Sequence, residues 1–514
     1  MSRHTPLGRK TSRHVAGLLR FALVALLIIV QVGIIFVLVH ILHDGAFFLY
    51  IAIQVIAIID VFIIVGKRQN TSFTMAWVLL ILLLPVTGHV LYVFWGRRNK
   101  HRRMRYALAR TSVFLEKDPD IYQELGESHP RRKRLAGYLG RMGFPMYKRT
   151  SCTYYPLGDD QFRAMLEDIK RAKKFIFLEY FIIAEGRLLD EYCEVLIQKA
   201  AEGVEVRVMY DDLGSLLTLP SGFDAHLRAN GIQVLRFNPI QYSISRLYIN
   251  YRNHQKICVI DGECAYTGGT NLADEYANYY AKHGHWKDTA IRLEGDAVWS
   301  LTVFFLQMWE AQTREEQCFG AYQPPNLGKE APGFYQPFTD GPINNPDNPA
   351  ESMYRSIIYN AREYVYISTP YLVIDGSMVD ALCTAALGGT DVRILTPRVW
   401  DHWFVHMVTQ SNYSQLMQAG VRIYEYAPGY IHAKSIISDD DHCITGTFNM
   451  DYRSFYLHYE NGVYICGAPV IGEIKADFLE TFEKSNEIDP ALWAKRPFVI
   501  KLLQGFFRIF AIFF

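Results

Sequence analysis

Residues 254–261 read HQKICVID, and residues 432–439 read HAKSIISD. Each stretch puts Lys two positions after His (His254 and Lys256, His432 and Lys434) and ends on an Asp (Asp261, Asp439). After six intervening residues beyond each Asp a second shared motif begins: Gly268-Gly269-Thr270-Asn271 in one copy, Gly446-Thr447-Phe448-Asn449 in the other. On a strand, positions i and i+2 face the same side, so each His–Lys pair projects into one place. The apolar residues before Asp continue the strand. The GxxN segment follows the next short strand and turns there, which can bring Asn271 and Asn449 to the same place. One HxK alone is an ordinary surface strand dipeptide. Two copies with matching Asp and GxxN offsets point to function.

The duplication extends beyond the motifs. AKKFIFLEYFII (172–183) reads as a buried strand, LLDEYCEVLIQKAAEG (188–203) as a helix with a Gly stop, and VEVRVMYDD (204–212) as a strand. The same order returns in AREYVYISTPYLVI (361–374), MVDALCTAALGG (378–389) and TDVRILTP (390–397). ANGIQVLRFNP (229–239) and QAGVRIYEYAPG (418–429) form a third pair at the same offset. The expected fold is therefore α/β, with two pseudo-symmetric lobes and a cleft between them. Lobe one spans 150–319 and lobe two 351–496. The Pro-, Gly- and Asn-rich stretch 320–350 reads as the linker between them.

Two facing motifs supply two imidazoles, two ammonium groups and two carboxamides. That set suits a phosphodiester: one His attacks phosphorus and the other protonates the leaving oxygen. Lys256, Lys434, Asn271 and Asn449 would hold the non-bridging oxygens, whose charge must be stabilised in the transition state. The lysines supply the positive charge, so this chemistry calls for neither a metal nor a cofactor. A phosphohistidine splits the reaction in two, leaving water or an alcohol as acceptor. Asp261 and Asp439 complete the motif and are expected to brace the strand–turn.

Composition sets the rest. The 514 residues are 50% apolar and 20% charged, which excludes disorder, and the net charge of +1 hides an asymmetry. Residues 1–150 carry 22 Lys and Arg against 7 Asp and Glu; the remainder carries 31 against 45. A basic first part fits an anionic surface, while the acidic remainder opposes nucleic acid as partner. Runs 15–42, 46–66 and 74–96 are each long and apolar enough for a membrane segment, so 1–96 reads as a multi-pass region with two or three crossings. Pro85 and Gly88 interrupt the third run and mark it as re-entrant or interfacial. Flanking basic residues lean the catalytic part toward the cytoplasm without deciding its side. Residues 97–149 form a basic connector, read equally as a solvated linker or a headgroup-binding segment. The tail PFVIKLLQGFFRIFAIFF (497–514) reads as a membrane-surface helix. Eight cysteines without a CxxC pair read as buried free thiols.

The paired motifs resemble the signature of the phospholipase D superfamily, HxK(x)4D(x)6GSxN, present twice. The chain is more closely similar to bacterial cardiolipin synthases through AWVLLILLLPVTGHVLYVFWG (76–96), NHQKICVIDGECAYTGGTNLADEY (253–276), HWKDTAIRLEG (285–295), TPYLV (369–373), IHAKS (431–435), GTFNMDYRSFYLHYE (446–460) and LWAKRP (492–497). The resemblance implies mixed-sheet phospholipase D-like lobes and a phosphatidyltransferase in a bacterial cell membrane. It would convert two phosphatidylglycerols into cardiolipin and glycerol. It implies His254 as nucleophile and His432 as general acid/base, with the reverse open because the lobes are near-symmetric. It implies Asp288 and Glu460 as acids that orient the imidazoles. Arg453 and Ser454 read either as phosphate contacts or as turn residues. The chain departs from the signature at Gly269 and Thr447, where Ser is frequent. A hydrolase releasing phosphatidic acid and a non-catalytic membrane scaffold are the alternatives. The sequence leaves the oligomeric state open.

Overall fold

The computed structural model describes residues 29, 33, 43–67, 70–96, 104–107, 114–239, 251–323, 328–343 and 347–513. Most of the first apolar run, 15–42, and most of the basic stretch 97–113 lie outside the described residues. The chain divides into two compact units, residues 1–99 with 241–250, and the rest.

In the first unit, helix His43–Val65 covers the second apolar run. Asn70 caps the next helix, Thr71–Leu83, by accepting from the Ser72 and Phe73 amides. Pro85 then starts a new helix, Pro85–Leu91, because its ring cannot continue the preceding hydrogen-bond ladder. The third apolar run is therefore broken where its sequence is interrupted. Gly88 is required at this break: a Cβ there would lie 2.6 Å from the Leu80 carbonyl oxygen. Asp60, buried within its apolar helix, pairs with His89. Of helix His43–Val65, side chains are described only at Phe48 and from Ile51 onward. Among the described residues, no helix is long and apolar enough to cross a membrane.

The second unit holds both lobes. In sheet order, lobe one has Thr150–Tyr155, Ala290–Gly295, Cys264–Gly268, Ile257–Ile260, Phe175–Tyr180, Glu205–Asp211 and Gln233–Phe237. Lobe two repeats that order: Phe334–Asp340, His458–Cys466, His442–Gly446, Ser435–Ser438, Tyr364–Ser368, Asp391–Pro397 and Arg422–Tyr426, with Ser485–Glu487 added at the far edge. Both sheets are mixed. The βαβ crossovers make Phe175–Tyr180, Glu205–Asp211 and Gln233–Phe237 parallel, as they do their counterparts, while the motif strands run antiparallel. These central strands are nearly continuous in apolar residues because helices cover both faces.

Three expectations change. Phe334–Asp340, inside the expected linker 320–350, is an edge strand paired along its length with His458–Cys466. Pro337 is tolerated there because an edge strand has one unpaired side. Within the basic connector, helices Pro119–Ser128 and Pro130–Arg141 bury Leu125, Leu135 and Leu139 in the same core as both lobes. Arg132 of that connector bonds Asp441 of lobe two at 2.6 Å. Cys318 is exposed; Cys258, Cys264, Cys443 and Cys466 are buried, and the other three lie between.

Candidate active site

The turns that carry the chemistry are fixed by the two motif aspartates. Asp261 accepts from the amides of Lys173, Lys174 and Phe175 at 2.7–2.9 Å. Asp439 accepts from those of Arg362, Glu363 and Tyr364 at 2.9–3.1 Å. Both adopt left-handed backbone, φ 55° and 53°. Each locks the hairpin after the HxK strand onto the entry of the neighbouring strand. Their carboxylates are spent on backbone donors, so these two members of the motif hold the fold rather than face the reacting atoms.

The histidines sit where the lobes exchange strands. Arg252–Asn253, just before His254, pairs in parallel with His458 and Tyr459 of lobe two. Gly429–Ile431, just before His432, pairs in parallel with His285–Lys287 of lobe one. The His254 amide donates to the Tyr459 carbonyl at 2.8 Å, and the His432 amide to the Lys287 carbonyl at 2.7 Å. Buried Arg252 is clamped by Asp211, which also accepts from the Asn253 amide.

The side chains cross as well. His254 Nδ1 lies 2.8 Å from Glu460 Oε2, and His432 Nδ1 lies 2.5 Å from Asp288 Oδ2. Each imidazole is thus held by the acid of the opposite lobe. A carboxylate on Nδ1 leaves Nε2 of each ring for chemistry. Each lysine folds back on its own motif: Lys256 Nζ donates to the His254 carbonyl at 2.8 Å, and Lys434 Nζ to the His432 carbonyl. Lys434 Nζ also lies 2.8 Å from His432 Nδ1, so ammonium and carboxylate bracket that nitrogen.

All of these groups are buried. Burial, reinforced by Lys256, holds the His254 pKa well below the ordinary value. Burial and Lys434 lower His432 to about 4. Burial lowers Lys256 to about 7 and Lys434 to about 8, each partly offset by acids of both lobes. The acids differ. Burial raises Glu460 well above its ordinary value, whereas at Asp288 the field of Lys434 and His432 outweighs burial and leaves it lowered. Lys434 and His432 act on His254, and Lys256 acts on His432, so the two motifs share one electrostatic site.

Gly269 explains one departure from the motif. A Cβ there would fall 2.0 Å from Asp288 Oδ1. The missing side chain makes room for the carboxylate to reach His432. At the matching position Thr447 Oγ1 donates to the Asn461 carbonyl at 3.1 Å. Asn271 is buried at the site, but its Oδ1 accepts from Ile182 N and its Nδ2 donates to Tyr276 Oη. Tyr276 in turn packs edge-on against His432, 5.3 Å between ring centroids. Asn449 is buried and hydrogen-bonds Asp451, and its Oδ1 has no hydrogen-bond partner among the described residues. Ser454 Oγ bonds Glu460 Oε1 at 2.7 Å, which makes it a brace of that acid. Arg453 lies close enough for its charge to depress His458.

His458 is the residue that the motif reading misses. It is buried two positions before Glu460, its ring centroid 5.6 Å from that of His254. Its Nδ1 lies 3.8 Å from Glu460 Oε1, yet neither ring nitrogen has a hydrogen-bond partner among the described residues. The signal was available, since the i, i+2 rule that pairs His254 with Lys256 also puts His458 on the face of Glu460. His254, His458 and Glu460 form the one group among the described residues whose ligand atoms could converge on a metal, all within 4.8 Å. Lys256, Arg252 and Arg453 direct positive charge at His458, which opposes a divalent cation there.

The family described as cardiolipin synthase, PLD-like domain matches residues 165–282 and 354–482, one stretch in each lobe. The phospholipase D-nuclease N-terminal family matches residues 52–97. Cardiolipin synthase 2 of Bacillus cereus is 35% identical over 86% of this chain and 87% of its own. The chain belongs to the cardiolipin synthase family of phospholipase D-like enzymes. Cardiolipin synthase of Geobacillus thermodenitrificans is 32% identical over 95% of this chain and 98% of its own. An uncharacterized protein of Streptococcus mutans is 40% identical over 86% and 97%. The crystal structure of a phosphatidylserine synthase from Haemophilus influenzae shares the fold, with TM-score 0.57, 15% identity, and 74% and 98% of the chains covered.

Proposed function

We propose that this cardiolipin synthase family enzyme transfers a phosphatidyl group between two phosphatidylglycerols, giving cardiolipin and glycerol. The observation that carries the mechanism is the crossed pair of imidazoles, each held through Nδ1 by the other lobe's acid. His254 Nε2 attacks phosphorus, the P–O bond to the headgroup glycerol breaks, and His432 donates its proton to the departing oxygen. In the second half, His432 takes the proton of the incoming glycerol hydroxyl, and the P–N bond breaks as the new ester forms. The difference between the two acids supports this order of roles. Ionised Asp288 stabilises a proton on His432, while His254 is kept neutral and nucleophilic. A bound phosphodiester anion raises the proton affinity of His432 above that of the empty site. Lys256 and Lys434 face the charge that develops on the non-bridging oxygens. Asn271 and Asn449 both already have protein partners, Ile182 and Tyr276 for the first and Asp451 for the second, so their carboxamides steady the site around the lysines. The apolar runs within residues 15–96 hold the enzyme at the membrane, where both substrates reside, with the flanking basic residues favouring the cytoplasmic side.

Product analysis tests this reading. Purified protein supplied with phosphatidylglycerol should yield cardiolipin and glycerol in equal amounts. Phosphatidic acid without cardiolipin would assign a hydrolase instead. Full turnover by His254→Ala would refute the phosphohistidine step.

A further inference from the structure

The C-terminal helix Phe498–Ile509 leaves most of its apolar side chains exposed. The side it turns inward carries Gln504, 3% exposed, which accepts from Arg496 at 3.0 Å. The side it turns outward is apolar: Phe498 is 75% exposed, Leu502 61%, Phe506 53% and Ile509 59%. Helix Trp403–Ser411 packs alongside it, and Trp403 meets Phe507 edge-on at 5.1 Å. Trp403 and, three residues before it in the chain, Trp400 are themselves about half exposed. A monomer rarely leaves a contiguous apolar face of this kind in water.

Charge selects the occupant. Residues 490–514 contain Lys495, Arg496, Lys501 and Arg508 and no acid, in a part of the chain that is otherwise strongly acidic. Lys495, Lys501 and Arg508 are exposed, as is Arg398 at the start of the Trp400 loop. An apolar face with exposed tryptophans and a cationic rim matches an anionic lipid surface. The face also adjoins the catalytic centre. Asp401, between the two tryptophans, is hydrogen-bonded by Tyr371. Asp401 acts electrostatically on Lys434 and on Tyr430, which stacks on His432. At the other end, the turn Ala511–Phe513 packs on helix Tyr452–Tyr456, which carries Ser454, the partner of Glu460.

We infer that the outer face of helix Phe498–Ile509, together with Trp400 and Trp403, is a lipid-docking surface that seats the mouth of the catalytic site on an anionic bilayer. This rests on the lipid-substrate reading above and adds a second attachment, separate from the N-terminal stretch. The test uses the full chain in vesicles of phosphatidylglycerol and phosphatidylcholine. The difference in fluorescence between the wild type and Trp400→Phe/Trp403→Phe isolates two of the eight tryptophans. Brominated acyl chains should quench that difference at least twofold; an unquenched difference overturns the proposal. Leu502→Glu/Phe506→Glu should lose at least tenfold activity on vesicle lipid and keep it on monomeric short-chain phosphatidylglycerol. Equal loss on both substrates, or none on either, overturns it. So does a drop in oligomeric mass with the same variant, which would make the face a contact between copies. A wild type inactive on every lipid would instead fail the functional reading, while quenching would still report docking.

Discussion

Replacing Gly269 by Ala adds one carbon at the point where the two lobes' chemistry meets. That carbon would lie 2.0 Å from Asp288 Oδ1, where ordinary contacts begin at 3.4 Å, so the carboxylate must retreat by roughly an ångström or more. It has no easy retreat, because Oδ1 also accepts from the Thr289 amide at 2.9 Å and the residue is fully buried. The 2.5 Å contact between Oδ2 and His432 Nδ1 is the one that must open. His432 then loses both its orientation and the negative charge that holds its proton. A misplacement of about 1 Å in a reacting group costs on the order of 100-fold, or about 2.7 kcal/mol of barrier. The assay is cardiolipin formation from phosphatidylglycerol, with kcat and KM measured separately. The loss is expected in kcat, with KM nearly unchanged and a melting temperature close to that of the wild type. Asp288→Asn should reproduce it, and Thr447→Ala, at the matching position but free of any clash, should lose far less. A Gly269→Ala enzyme within twofold of wild-type kcat would refute the argument that Gly269 exists to admit Asp288.

Other consequences are equally open to measurement. Glu460→Gln should slow the first half-reaction, read as the burst of glycerol release, although the residue it serves lies in the other lobe. Asp439→Ala removes the carboxylate that accepts from three backbone amides at a left-handed residue and should cost about 3 kcal/mol of stability, with correctly folded enzyme near wild-type turnover; an unchanged melting temperature with lost activity would overturn the bracing role. Lys256 and Lys434 titrate in the free enzyme near 7 and 8, below the ordinary lysine range, so their charge is present at lower pH and lost as pH rises. kcat/KM should therefore fall through that interval, and Lys256→Arg should move the limb upward. His458→Phe replaces a buried imidazole that has no hydrogen-bond partner among the described residues by an apolar ring. It should leave the melting temperature unchanged or raise it slightly, while kcat for cardiolipin formation falls; unchanged kcat would show His458 to be packing alone.

Much of the site was legible before folding, because strand geometry is local. The two-residue period places Lys256 beside His254 and Lys434 beside His432 whatever the tertiary structure does. The return of the same strand–helix–strand order likewise announces two lobes of one topology, and the sheets repeat strand for strand. Where local signals were mixed, the outcome depended on distant partners. Phe334–Asp340 lies in a stretch rich in turn residues and becomes a strand only because His458–Cys466 supplies its hydrogen bonds. Helix Pro130–Arg141 looks like a charged linker until its few apolar residues find the common core.

The sequence by itself determined the kinds of groups available, their pairing along each strand, and their duplication, since those depend only on backbone period and covalent order. Which acid serves which histidine was decided by the tertiary structure. Asp288 and Glu460 follow their own lobe's motif in the chain, yet each bonds the imidazole of the other lobe. The cause is the exchange of short parallel strand pairs at the lobe interface, contacts between segments 206 and 144 residues apart. No local periodicity encodes such a contact, because its hydrogen bonds form only when both lobes have folded and met.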